Sequence, residues 1–268
     1  MPKAIQKRAK LRQMLRGLVK MYGPRPSHFR GKPLDVLVEA MLAQNTNMAN
    51  ATRGYRILRR ELPTWTKVMN APVETVQRAI AICGLARMRA RRLQDMLRRI
   101  KEEQGKLDIE FLRAADVPAS YEWLTAFHGI GPKTAAFTLL FGFGQPILPV
   151  DNGVLRVVRR LRLVRPTARD RETEQTLSPL IRKGDHYATH VLLFRHAKER
   201  CRPKNPKCTE CRLLTMCPYG QRRVKHRSPT KIDIKASLQP RPRVLARFVS
   251  DGLVRDERRD AARPVVAR

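Results

Sequence analysis

Acidic residues are scarce in this sequence. Twenty-three Asp and Glu stand against 56 Lys and Arg, leaving a formal net charge of +33 over 268 residues. An excess that large goes beyond what solubility asks for and makes a polyanion the expected partner. Long apolar runs are missing too: none approaches the ~20 residues of a helical bilayer span, so no membrane partner is expected. The opening MPKAIQKRAKLRQML lacks the apolar core of a secretory signal, which gives an expectation of cytoplasmic residence in association with the nucleoid. Period-two alternation of the kind strands require is also wanting. The chain does have 42% hydrophobic residues, enough for one or two packed domains and too many for disorder throughout.

Cysteine is rare but concentrated. Four of the five, Cys201, Cys208, Cys211 and Cys217, fall within CRPKNPKCTECRLLTMC in the order C-x6-C-x2-C-x5-C. Without a secretion signal a disulfide framework is not expected, and a tight thiol cluster reads as a metal site. Structural zinc is normally held by two separated pairs, whereas here one C-x2-C is flanked by single cysteines at longer gaps. Four thiolates with no histidine inside the stretch suit a [4Fe–4S] cluster, although softness alone also admits zinc. Cys83, alone in AIAICGLARM, is read as filling a small apolar space.

Apolar residues at helical spacing mark residues 4–21, 34–43, 48–61, 73–82, 88–103, 118–127, 133–142, 151–163, 170–182 and 186–200. Breakers fall between them, among them YGPRP, Pro63, Pro72, GIGP and FGQP. The expected fold class is all-α. Beyond Cys217 the periodicity dissolves: residues 218–268 hold 14 Lys and Arg against 5 Asp and Glu and so carry +9 of the +33. They are expected to form a basic, disordered tail that attracts nucleic acid.

The stretch HGIGPKTAAFTLL, residues 128–140, has YEWLTAF before it. It reads as a helix, a tight turn, and a second helix opened by Pro132. Gly129 and Gly131, with Ile130 between them, let the backbone approach another molecule closely, and the free N–H groups beyond suit a phosphate. Lys133 follows at once. A nucleophilic lysine must titrate below its ordinary ~10.4, and the positive end of a helix works in that direction, as would desolvation by Phe127 and Ala136. Eighteen residues on, Asp151 in ILPVDNGVLRVVRRL is either a helix N-cap or a carboxylate with a chemical task.

FHGIGPKTA, PVDNGV and the four-cysteine spacing, in this order, resemble the helix-hairpin-helix base-excision DNA glycosylases of the endonuclease III branch. That family reads L-P-G-V-G-x-K-T-A, V-D-x-H and C-x6-C-x2-C-x5-C there. EAMLAQNTNMANA is similar to its L-S-A-Q-x-T-D, and GLARMRA to its G-L-Y-x-S-K-A. The resemblance runs from about residue 10 to 218.

It implies a six-helix barrel with the hairpin over 33–145, and a cluster lobe from 1–32 and 146–217, with a DNA-binding groove between them. The implied substrate is double-stranded DNA with damaged bases or abasic sites, bound by a monomer that flips the target nucleotide out of the stack. Lys133 would attack the sugar, expel the base and nick the strand by β-elimination, while Asp151 stabilises the sugar cation. Gln44 would fill the gap and Leu85 wedge the opposite strand. Arg202, Lys204 and Lys207 would meet phosphates, and the cysteines hold a [4Fe–4S] cluster. Asn47, Gly153 and Phe127-His128 depart from the family at its Asp, His and Leu-Pro. Oxidised pyrimidines are the expected lesions. A glycosylase for alkylated or mismatched bases, or a non-catalytic DNA-binding module, are the alternatives.

Overall fold

The computed structural model describes residues 3–27 and 31–225; the expected tail from residue 226 onward lies outside the described residues. Every regular element among these is helical, with no strand among them. Helix α1 (Lys3–Tyr22) leads to α2 (Pro33–Leu42), α3 (Met48–Glu61), α4 (Trp65–Asn70), α5 (Val73–Ala79), α6 (Ala86–Gln104), α7 (Val117–Thr125) and α8 (Pro132–Phe143). Then come α9 (Asn152–Arg160), α10 (Asp170–Leu177), α11 (His186–Glu199) and α12 (Pro218–Lys225). Boundaries follow local chemistry. Asn47, Thr64, Asp116 and Asp151 each cap a helix by accepting a backbone N–H. Gly105 and Gly144 end α6 and α8 in left-handed backbone.

Two hydrophobic cores result. One is built from α2 to α8 and Ile147, with Leu37, Leu58, Leu93, Leu97 and Leu139 at its centre. The other joins Leu11, Met14 and Leu18 of α1 to Leu148, Val158 and Leu161, and to Leu192 and Leu193 of α11. The chain between Phe143 and Asp151 passes from the first core to the second, so the hairpin belongs to one and Asp151 to the other. Two helices differ from expectation. Helix α4 occupies the stretch between Pro63 and Pro72 that showed no period. Helix α12 continues ordered structure past Cys217, where the tail was expected to start; Tyr219 lies under the Arg160 guanidinium at 4.1 Å.

Candidate functional site

The hairpin forms as read. Pro132 takes the first position of α8, Gly131 is its N-cap, and no side chain caps it. The first-turn N–H groups of the helix are therefore left for another acceptor. Only Gly129 needs glycine for its backbone, with φ +89. Gly131 has ordinary φ (−88) and open space where a Cβ would sit; its lack of a side chain serves whatever approaches from outside. Ile130 differs from expectation. Its side chain is buried and its N–H donates inward to Phe127 O at 3.0 Å, so it anchors the turn and offers no outward donor.

Lys133 sits on the first turn of α8, exposed. Phe127 and Ala136, expected to desolvate it, are instead buried in the core. Phe127 packs against Trp123 at 4.7 Å and beneath Arg99. Desolvation of the amine is thus not a property of the free protein.

Gln44 is brought to the hairpin. Its Nε2 donates to Gly129 O at 2.8 Å and to Thr134 Oγ1 at 3.1 Å, which ties the end of α2 to the start of α8. Leu85 stands at the head of α6 with 59% of its surface exposed and with left-handed backbone. One residue the sequence reading passed over links these two stretches. Arg89 is buried, and its guanidinium donates to Leu42 O and Gln44 O. Burial pushes its titration below the usual arginine value. Its register with Leu93, Leu97 and Ile100 on the apolar face of α6 was the available signal.

Asp151 is the N-cap of α9, its Oδ1 accepting Val154 N at 2.7 Å. The segment ahead of it is held at two points: Leu148 N donates to Ser178 Oγ at 3.0 Å, and His190 Nδ1 donates to Pro149 O at 2.9 Å. His190 packs against Phe141 of α8 at 5.5 Å. The same histidine therefore touches the lysine helix and holds the aspartate segment. Gly153 has a packing reason. A Cβ there would lie 2.9 Å from Ala197 Cβ, so α9 and α11 approach too closely for a side chain. Asn47 caps α3 through Asn50 N at 2.8 Å.

Cys201, Cys208, Cys211 and Cys217 line one cavity, together with Arg160, Arg200, Lys207 and His196 and no carboxylate. Among the described residues no three His, Cys, Asp or Glu side chains converge closely enough to form a single-ion site. The polar groups facing the sulfurs are mainly N–H donors. Arg160 lies 3.3 Å from Cys201 Sγ, Gly220 N donates to Cys217 Sγ at 3.4 Å, and His196 Nε2 is 3.8 Å from Cys211 Sγ. Burial pushes the Cys211 thiol up to about 11 and raises Cys217 as well, and it lowers His196 to about 4. Arg156 and Arg160 of α9 also hold the loop's backbone, at Cys201 O (2.9 Å) and Arg202 O (2.9 Å). Arg202, Lys204 and Lys207 are exposed on that loop. Cys83 stays apart, buried against Gly54.

Residues 38–183 match the HhH-GPD superfamily of base excision DNA repair proteins, a span that includes Gln44, Lys133 and Asp151 and ends before the cysteines. The chain is 30% identical to Endonuclease III of Bacillus subtilis over 193 residues, 72% of this chain and 84% of that one. It is 30% identical to Endonuclease III of Thermotoga maritima over 215 residues, 80% and 95% respectively. The structure of a non-covalent Endonuclease III-DNA complex is similar with a TM-score of 0.70 at 25% identity, covering 81% of this chain and 98% of that one. With its all-α fold and its hairpin lysine, the chain belongs to the HhH-GPD superfamily, as an endonuclease III-like base excision repair DNA glycosylase.

Proposed function

We propose that this glycosylase is bifunctional, with Lys133 as the nucleophile of both base excision and strand nicking. The observation that carries this reading is the exposed amine on the first turn of an uncapped helix, directly beyond a turn whose only left-handed residue is Gly129. In the proposed sequence Lys133 Nζ attacks C1′ of a flipped nucleotide, and the base leaves with the bonding electron pair and a proton. The nitrogen lone pair then opens the sugar ring, breaking the C1′–O4′ bond as O4′ takes up a proton, and the resulting Schiff base acidifies C2′; loss of a C2′ proton expels the 3′ phosphate with the C3′–O bonding pair. A protonated lysine cannot begin this, and the free protein leaves Nζ in water. A nucleotide closing over the lysine supplies the desolvation that disfavours the ammonium. Asp151 faces the developing sugar cation with its negative charge. A nearby carboxylate stabilises ammonium, so it does not serve to activate the lysine.

The duplex partner follows from the charge, from the outward N–H groups of the hairpin, and from the exposed Arg202, Lys204 and Lys207 beside the cysteine loop. Gly129 and Gly131 let a phosphate approach these donors. Gln44 and Leu85 enter the stack once the nucleotide has left it. The protein acts as a monomer on oxidised pyrimidines and abasic sites in the cytoplasm, close to the chromosome.

The residues around the cysteine cavity fit an anionic thiolate cluster: four sulfurs, three cationic side chains, N–H donors to sulfur, and no competing carboxylate. Cys201, Cys208, Cys211 and Cys217 would hold a [4Fe–4S] cluster that organises a loop too short to build its own core. Borohydride trapping on an abasic-site duplex tests the central assignment. The parent should form a covalent adduct and nick, while Lys133→Gln should do neither yet still bind DNA and melt normally. An adduct with Lys133→Gln would show that another amine is the nucleophile. A parent that binds but never traps would refute the bifunctional reading and leave a glycosylase without lyase activity or a DNA-binding module.

A further inference from the structure

Gln44 and Leu85 come from different elements, one beside and one at a residue with left-handed backbone. Asn45, next to Gln44, has φ 51, and Leu85 itself has φ 49. L-residues other than Asn rarely adopt that conformation, and it persists where the surroundings fix it. One residue is common to both places, through its backbone at one and its side chain at the other. The backbone N–H of Arg89 donates to Leu85 O at 3.0 Å, closing the first turn of α6 behind the exposed leucine. Its guanidinium reaches across to Leu42 O and Gln44 O. Those carbonyls lie at the C-terminal end of α2, where the helix dipole favours a cation, and the amide of Gln44 continues to Gly129 O and Thr134 Oγ1.

Arg89 is therefore unlike its basic neighbours. Arg87 and Arg91 are exposed, whereas Arg89 is 4% exposed. The charged or titratable groups that bear on it are Cys83 and Arg92, neither of which is a carboxylate partner. A buried guanidinium whose named acceptors are two backbone carbonyls does not contact a phosphate. Its work lies inside the fold, and a planar fork suits two acceptors at once.

We propose that Arg89 is a positioning residue that holds Gln44 and Leu85 at one fixed spacing, so that plug and wedge enter the duplex together. The inference rests on the reading of those two residues as the ones that enter the stack.

The test uses the full chain and a duplex carrying a tetrahydrofuran abasic analogue with 2-aminopurine beside it, whose fluorescence rises on unstacking. Arg89→Met keeps the aliphatic stem and loses both donors. It is expected to suppress most of the fluorescence rise at saturating protein and to slow single-turnover nicking of abasic DNA by about tenfold or more. Affinity for undamaged duplex, set by phosphate contacts, should stay within about twofold. Arg89→Lys, which restores the cation but not the fork that meets two carbonyls at once, should recover only part of the signal. Gln44→Ala and Leu85→Ala serve as controls, each lowering the rise. If both controls leave the signal unchanged, the reading beneath the proposal fails and takes it along. If the controls lower the signal and a folded Arg89→Met does not, Arg89 only packs α6 against α2 and the proposal alone is overturned. Should Arg89→Met not fold, Arg89→Gln takes its place with the same criterion.

Discussion

Replacing Asp151 by Asn separates chemistry from helix capping. Asp151 Oδ1 accepts Val154 N at 2.7 Å, and Asn at an N-cap accepts about as well as Asp, so α9 keeps its cap. What disappears is the charge. Against the dipole of α9 that charge is worth about 0.3–1 kcal/mol, which for a fold of this size lowers melting by about 1–4 °C. Facing a sugar cation in the transition state, a preorganised charge is worth ~3 kcal/mol, about a hundredfold in rate. Asp151→Ala removes the cap too, at a further cost of about 1 kcal/mol. The two variants should thus lose single-turnover excision of an oxidised pyrimidine to the same extent, while Asp151→Ala melts about 2–4 °C below Asp151→Asn. If Asp151 only capped α9, the pattern would differ, with Asn near-parental and Ala falling in step with stability. On a preformed abasic site no base has to leave, so Asp151→Asn should still trap slowly. Excision by Asp151→Asn within about threefold of the parent, under ~0.7 kcal/mol, would refute the electrostatic role.

Gly153→Ala should destabilise the fold by about 1–3 kcal/mol, because the new Cβ would meet Ala197 Cβ at 2.9 Å and Asp151 Oδ1 at 3.1 Å. Calorimetry showing parental melting would mean that α9 and α11 can part at little cost. If the cysteines hold the proposed cluster, Cys211→Ser should bleach a yellow-brown chromophore absorbing in the visible blue and lower the melting temperature, since the energy of metal binding would then be folding energy. Iron and sulfide analysis of anaerobically prepared protein checks the cofactor, and stoichiometric zinc without either would refute it.

The features legible beforehand were those whose meaning is local. Pro132 opens a helix because its ring presets φ, Asp151 caps one because its carboxylate reaches the third N–H beyond, and both are decided within a turn of chain. Helix α4 was missed for the converse reason: its six residues span too few turns for a period to show. Helix α12 was missed because its order comes from Tyr219 under Arg160 and from Gly220 N on Cys217 Sγ, contacts no polar octapeptide announces. Arg89 was concealed among Arg87, Arg91 and Arg92, where a count of charges makes it one of a basic run. Helical phase sets it apart, because it shares a face with Leu93 and Leu97, and a charge on an apolar face has to find acceptors. Lys133 shows the limit from the other side. Its position was readable from the hairpin, but the expected contribution of Phe127 and Ala136 to its chemistry was not correct. Both are drawn into the core, so the hairpin presents the amine to solvent, and under the proposed mechanism the bound nucleotide has to complete the environment in which that amine would react.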